Sequence, residues 1–361
     1  MPTIRAIRAA VRAARVGVLT TQPRFGMIVA SAAARAAGAV HLLSTHPLPD
    51  AARPRFLAGW THLAGDASLE AVLAASGLDA VLPSDLASTR LLAGLSGEGG
   101  AGPCRLPLSP PQVLSALHDK YVFKTLCEAA GVLVPETRLL AAPADARACL
   151  DRLLAGGDTL RFPVVTKPIA AQNGRGVRIH RSARDLAAAL ATGGVWLPGV
   201  VQRYVPGRDV DLSLLARDGH VLCAVLQERI AGGGLRFFRD AEAEAMGARL
   251  IAHLGFSGVV HLDLRREAAS GRPVAIEANP RFWGSLGWAD GAGLGFVGQA
   301  IALALGLPVT DWPLDLSLRV RTPIGWWRAL GRGELPNPRE LRAAVRLRPA
   351  PRSVMDGDPV R

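Results

Sequence analysis

The first hundred residues alternate short apolar runs with alanine-rich segments, and that alternation limits the folds open to the chain. Residues 16–20 (VGVLT), 39–43 (AVHLL) and 79–83 (DAVLP) read as short buried strands, with helical stretches from Ser31 to Ala37 and Ser68 to Ser76 between them. Apolar strands joined by helices belong to a parallel sheet of the doubly wound kind, because each crossover helix buries one stripe against the sheet. The stretch Gly94 to Pro103 (GLSGEGGAGP) reads as a linker or long loop. It holds a literal GxGxxG at Gly97, Gly99 and Gly102. No strand precedes it, and Pro103 follows where a helix would start, so it is assigned no dinucleotide role.

A second unit begins near Ser109. Residues 112–130 read as one helix stopped by Gly131, with Lys120 and Lys124 on one face at i,i+4 spacing. A helix over 144–154 leads to a strand at 162–167 (FPVVTK), a loop at 168–176 (PIAAQNGRG), a strand at 177–180 and a helix at 183–191. Strands at 199–204 and 210–215 flank a turn at Pro206-Gly207. A glycine loop at 232–234 precedes a helix over 241–254. Strands 258–265 and 274–278 form a hairpin, and the residues after about Pro308 read as an irregular basic extension.

With 361 residues, the chain has room for two or three domains, each with a core. No apolar stretch approaches the ~18–20 residues of a membrane span, and the N-terminus lacks a secretory pattern. Cys104, Cys127, Cys149 and Cys223 are scattered, so neither a disulfide framework nor a cysteine metal site is expected, and a reducing cytoplasm is the simplest setting. The net charge is +12. Arg5, Arg8, Arg12 and Arg15 follow helical spacing beside Ile4, Ile7 and Val11, which reads either as a membrane-surface helix or as a packed terminal helix. The tail after Leu318 is arginine-rich and carries Trp326 and Trp327, without a nucleic-acid motif.

Of the 42 basic residues only Lys120, Lys124 and Lys167 are lysines. A lysine ammonium is a compact point charge suited to phosphate oxygens in tight space, where arginine is a wide planar fork. Lys167 ends an apolar strand, and Gly174 and Gly176 follow in a loop whose backbone N–H groups can approach an anion closely. No Walker A loop exists in the chain. In 258–265 (GVVHLDLR), His261 and Asp263 share a strand face. In 274–279 (VAIEAN), Glu277 and Asn279 share one while Val274, Ile276 and Ala278 point away. Aligned in a hairpin, Asp263, Glu277 and Asn279 offer hard oxygen ligands suited to Mg²⁺, although an exposed hairpin with a wet polar face has the same pattern. In 202–211 (QRYVPGRDVD), a strand edge ending at Val205 can offer backbone groups to an adenine. Asp209 can accept from ribose hydroxyls, or be a solvated acid beyond a β-turn.

Taken in order, HDKYVFKTLCEAAGVLVPET, FPVVTKP, NGRGV, VVQRYVPGRDVDL, HLDL and VAIEANPRFWGSL resemble the ATP-grasp superfamily of carboxylate–amine (or thiol) ligases over roughly residues 110–300. The resemblance implies an α/β chain in which residues 1–108 form a Rossmann-like pre-grasp domain. Residues 109–308 would form a two-subdomain ATP-grasp fold and 309–361 a C-terminal basic extension. By position in the family motifs, it places ATP phosphates on Lys120, Lys167 and the 172–176 backbone (Gln172, Asn173, Gly174, Gly176). Adenine falls at Gln202, Arg203, Tyr204 and Val205, with Ile276 beside the nucleotide and ribose on Asp209. Mg²⁺ (or Mn²⁺) falls on Asp263, Glu277 and Asn279. Arg281 stands near the transferred phosphate, with Lys167 and His261 completing the catalytic set. Two departures stand out: Asp209 replaces a more usual Glu, and Ser213 stands where many members have another acid.

The activity so implied is ATP-dependent ligation, in which a carboxylate is activated as an acyl phosphate and joined to an amine or thiol. The expected partners are small-molecule carboxylate and amine substrates, with no specific nucleic acid. Peripheral membrane contact through the basic termini and a homodimer remain open. The alternatives are a non-catalytic ATP-binding scaffold or regulatory protein, and a biotin-carboxylase-like carboxylating enzyme.

Overall fold

The computed structural model describes residues 2–48, 53–65, 68–95, 102–172, 174–231, 233–309, 319–321 and 323–331. The chain opens with α1 (Ile4–Ala13), β1 (Arg15–Thr20), α2 (Pro23–Ala36), β2 (Ala39–Ser44), β3 (Gly59–His62), α3 (Leu69–Ala75), β4 (Ala80–Pro83), α4 (Leu86–Ala93) and β5 (Cys104–Arg105). The strands form a five-stranded sheet in the order β3-β2-β1-β4-β5, parallel throughout. Residues 16–20 of β1 are buried, as an interior strand of such a sheet requires. Ile7 and Val11 of α1 are buried in the same core, while its arginines and Ile4 face outward. Two of the three residues of that helix's apolar stripe are thus already covered. Among the described residues no helix is long and apolar enough to cross a membrane. Gly97 and Gly99 of the GxGxxG lie outside the described residues.

The loop after β1, where a dinucleotide-binding domain holds its phosphates, is filled from within. The carboxylate of Asp85, fully buried, accepts from the N–H groups of Thr21 (2.8 Å) and Gln22 (3.1 Å) and from the hydroxyls of Thr20, Thr21 and Ser84. It also accepts from Ser88 N–H as the N-cap of α4. One anion therefore satisfies the donors that a bound phosphate would need.

The next unit comprises α5 (Pro111–His118), α6 (Lys120–Ala129), β6 (Thr137–Leu140), α7 (Pro143–Leu154), β7 (Val164–Pro168), β8 (Arg178–His180), α8 (Ala183–Ala191) and β9 (Gly199–Arg203). The single helix expected over 112–130 is two. Asp119 takes an extended conformation and caps α6, accepting from Tyr121 N–H (2.9 Å) and Val122 N–H (3.0 Å). That choice competes with helix continuation, as a short acid side chain commonly does. It places Lys120 at the first position of α6, and Gly131 follows α6 with φ +65°. The four strands form an antiparallel sheet, β6-β9-β7-β8.

The third unit comprises β10 (Gly207–Arg217), β11 (His220–Arg229), β12 (Gly234–Phe238), α9 (Ala241–Leu254), β13 (Gly258–Glu267), β14 (Pro273–Asn279), α10 (Leu286–Gly291), α11 (Phe296–Ala304), β15 (Arg319–Arg321) and α12 (Pro323–Leu330). Its six-stranded sheet runs β14-β13-β10-β11-β12-β15. Strands β11 and β12 were not foreseen; the 220–229 segment lacks alternation because part of each face is covered. Strand β15 draws the start of the C-terminal extension into this sheet. Helices α10 and α11 leave it and pack on α2, α1 and β4 of the first domain. One apolar cluster thus joins Val16 and Leu82 of the first sheet to Phe237 of the third through Phe282, Trp283, Phe296 and Ile301.

Phe296 meets Phe282 and Trp283 edge-on, with ring centroids 6.3 and 4.9 Å away. Phe296→Ala is expected to lower the unfolding free energy by about 3–5 kcal/mol. In a denaturant titration the first domain and the six-stranded sheet should lose structure together; a separate early transition of the first domain would contradict the shared core.

Candidate active site

The six-stranded sheet builds the site by cross-strand register. Strands β13 and β14 pair Asp263 with Glu277 and His261 with Asn279. Strand β10 continues both rows with Asp211 opposite Asp263 and Ser213 opposite His261. Strand β11 adds Gln227 opposite Asp211. The ladder shifts between Asp263 and Leu264, which pairs with Ala275, so Ile276 is the extra residue of a β-bulge. This breaks the strict alternation expected over 274–279. Ile276 lines the same cleft as Glu277 and Asn279, and its carbonyl faces the Lys167 ammonium at 3.4 Å.

Lys120 and Lys167 come from different elements and converge here. Each is only 4% exposed. Lys120 Nζ stands 3.4 Å from Glu277 Oε2 and donates to Ala171 O at 2.8 Å. Its backbone N–H bonds Ile169 O, tying α6 to the segment after β7. Lys124 instead pairs with Glu128 at 2.7 Å and takes no part. Burial pushes the Lys167 ammonium down to about 8; Glu277 and Asp263 oppose this and Lys120 adds to it. Burial pushes the Glu277 carboxyl up, but Lys120 and Lys167 outweigh it and hold the group below its ordinary value. Asp263 stays above the ordinary carboxylate value, chiefly from burial, with Glu277 adding to it. Asp211 is likewise raised by burial.

The carboxyls of Asp263 and Glu277 stand opposite each other, one held high and one low, and a divalent cation would offset the charge they crowd together. An ammonium with three donors and a single long carbonyl contact lacks the acceptors that phosphate oxygens provide. The donor set therefore fits a metal-bound polyphosphate. Asn279 Oδ1 accepts from Arg281 Nη2 at 3.2 Å, while Arg281 Nη1 donates to Phe282 O at 2.8 Å. The buried Arg281 guanidinium lies over the Phe25 ring at 4.5 Å, and its Nε has no partner. His261 is fixed on three sides. Nδ1 lies 2.8 Å from Ser213 Oγ, Nε2 lies 3.3 Å from Asp263 Oδ1, and the ring stacks on Trp283 at 5.7 Å.

These groups lie in a cleft of about 910 Å³ between the four- and six-stranded sheets. Lys167, Gly174, Gln202, Arg203, Tyr204, Val205, Asp209, His261, Asp263, Ile276, Glu277, Asn279 and Arg281 all line it; Lys120 reaches it through Glu277. At the β9 end, the N–H groups of Arg203 and Tyr204 are spent on Glu136 O and Pro163 O. Among the described residues the N–H of Val205 has no partner. The Gln202 side chain turns to Thr137 Oγ1 (2.9 Å), and Arg203 pairs with Glu267 (2.8 Å). The Arg265 guanidinium lies over Tyr204 and holds Asp209 at 3.1 Å, leaving that acid 69% exposed on the rim. The loop before β8 turns through Gly174 and Gly176 at φ +69° and +74°. A Cβ on Gly176 would sit 2.7 Å from Pro168. Gln172 O accepts the N–H of Arg175, and Asn173 lies outside the described residues.

Sequence reasoning missed Asp211 and Gln227. Asp211 had a signal, since it shares a strand face with Asp209 two residues earlier. Gln227 had none, because β11 was not foreseen. Its amide donates to Asp211 Oδ2 and lies equally close to Ser285 Oγ, both at 2.8 Å.

A family model described as ATP-grasp in the biosynthetic pathway with Ter operon matches residues 198–323. No curated protein sequence matches the chain. The fold resembles carboxyaminoimidazole ribonucleotide synthase from Aspergillus clavatus complexed with ATP, at 18% identity and TM-score 0.62, covering 89% of this chain and 86% of that one. It resembles L-amino acid ligase from Bacillus licheniformis at 16% identity and TM-score 0.58, covering 84% and 77%. It also resembles the biotin carboxylase domain of Hydrogenobacter thermophilus 2-oxoglutarate carboxylase, in complex with MgADP, ADP and bicarbonate. There the identity is 14% and the TM-score 0.58, covering 82% and 70%. The ATP-grasp model thus matches about a third of the chain, and the fold shared with these structures has two antiparallel sheets facing across the cleft and a parallel-sheet domain before them.

Lys167 generates a pH test. Its proton leaves near pH 8 in the folded, nucleotide-free protein and at about 10.4 in the unfolded chain. The unfolded state therefore binds more protons in that window, and the burial penalty is relieved as pH rises through it. Lys167→Met should flatten the pH dependence of stability between those limits, measured by chemical denaturation; an unchanged slope would show that Lys167 is not desolvated.

Proposed function

We propose that the chain is an ATP-dependent ligase that activates a substrate carboxylate and joins it to an amine. The convergence of Lys120, Lys167, Asp263, Glu277 and Asn279 on one cleft carries this reading. Lys120 and Lys167 neutralise phosphate oxygens, and the backbone of the Gly174–Gly176 turn lines the phosphate path. Val205 offers its N–H to the adenine edge, and Asp209 offers its carboxylate to the ribose. Asp263, Glu277 and Asn279 would hold Mg²⁺ or Mn²⁺, which would supply Lewis-acid charge for phosphoryl transfer.

The substrate carboxylate attacks the γ-phosphorus of ATP and ADP leaves, giving an acyl phosphate. The amine then attacks the acyl carbon, releasing phosphate and forming the amide. Arg281 faces the negative charge of the acyl phosphate, and His261, locked between Ser213, Asp263 and Trp283, directs Nε2 toward the acid row. No protein nucleophile is needed; the work is positioning and charge neutralisation. The segment between β7 and β8 covers the cleft and keeps water from the acyl phosphate.

Mg-ATP at a hundred times its Kd should stabilise the protein by about 2.7 kcal/mol in a thermal-shift titration. Glu277→Gln should lower ADP release with a competent acid and amine by several orders of magnitude, as loss of a metal-bridging carboxylate does at phosphoryl-transfer sites. Nucleotide binding without ADP release under any acid–amine pair would instead mark a non-catalytic nucleotide-binding protein.

A further inference from the structure

The cleft runs past the acid row to an end that the nucleotide does not need. Five arginines line it in total: Arg24, Arg203, Arg229, Arg265 and Arg281. Arg203 and Arg265, at the β9 end, are neutralised by Glu267 and Asp209. Arg24 and Arg229 have no acidic partner among the described residues, and both are exposed to the cleft.

Three contacts bring these two side chains to one place. Arg35, at the far end of α2, pairs with Asp290 on α10, so α2 lies along α10. The start of α2 then meets the segment before α10, and there Phe25 lies under Arg281. Arg24 is its neighbour. Gln227 bonds Ser285, just before α10. Arg229, two residues on, shares the strand face of Gln227. Trp288 of α10 and the Gly233–Gly234 turn complete this end of the cleft. Its one acid, Asp211, is engaged by Gln227.

An arginine pair left without counter-charge at the end of an otherwise balanced cleft is built for an oxyanion. The activated carboxylate itself belongs beside Arg281, whose buried Nε lacks a partner. We propose that the acid substrate carries a second anionic group, a carboxylate or a phosphoryl group, and that Arg24 and Arg229 hold it. This rests on the ligase reading and narrows it to acids that are at least dianionic. The second anion is read by one side chain from the first domain and one from the six-stranded sheet, so only the assembled cleft recognises the substrate.

The test uses the full chain at fixed ionic strength, with and without MgADP, and titrates acetate, malonate and phosphonoacetate by calorimetry. Malonate or phosphonoacetate should bind at least about tenfold more tightly than acetate, the equivalent of one charge-assisted contact. Whichever of the two binds tighter tells a carboxylate-sized site from a phosphoryl-sized one. Arg24→Ala and Arg229→Ala should each abolish the preference, with the melting temperature reporting that each variant is folded. Equal affinity for acetate and the dianions, or no binding of any of them, overturns the proposal. A preference that survives both substitutions overturns it as well. Failure of MgADP to bind, measured in the same titrations, would count against the ligase reading separately.

Discussion

Everything at the site depends on how the charge of Glu277 is balanced. Two ammoniums, from the first turn of α6 and the end of β7, are buried against this carboxylate. Burying a charge is costly unless it is paired. Glu277 therefore holds both lysines in place: without its charge neither ammonium keeps its compensation, for the two repel each other. The bulge at Ile276 completes the arrangement, because an unpaired ladder carbonyl becomes an acceptor for Lys167. The balance remains incomplete without a ligand, since burial holds the Asp263 carboxyl above its ordinary value and the Lys167 ammonium below its own. A magnesium triphosphate would supply the missing cation to the acids and the missing anion to the lysines.

The first domain serves the cleft as a wall and has no nucleotide site of its own at the β1 loop. Asp85 takes the place of a phosphate there by accepting the donors of Thr20, Thr21 and Gln22. The same loop leads into α2, which sets Phe25 beneath Arg281. The apolar cluster through Phe282, Trp283 and Phe296 makes that placement rigid. Arg281 is thus positioned by a helix more than 250 residues away in sequence.

Much of this was legible in the chain. A strand with an apolar run such as 16–20 declares itself because both faces are buried. The face-sharing of Asp263 with His261 and of Glu277 with Asn279 follows from strand period. Strands β11 and β12 were hidden, because their residues mix exposed and buried positions without alternation. The break at Asp119 was hidden too, since its helical neighbours read continuously through it. Gln227 carried no mark, for it matters only through its hydrogen bonds to Asp211 and Ser285.

Local chemistry alone determined which residue types could carry the work: three lysines among many arginines, acids in apolar strands, glycines after a strand. Those properties belong to single segments and survive without a fold. Tertiary structure decided which of them meet. It excluded Lys124, recruited Asp211 and Gln227, freed the carbonyl of Ile276 and left Arg24 and Arg229 facing one space. The reason is physical: pairing energies and desolvation depend on distances between segments, and cross-strand register and helix packing set those distances only once the core has closed.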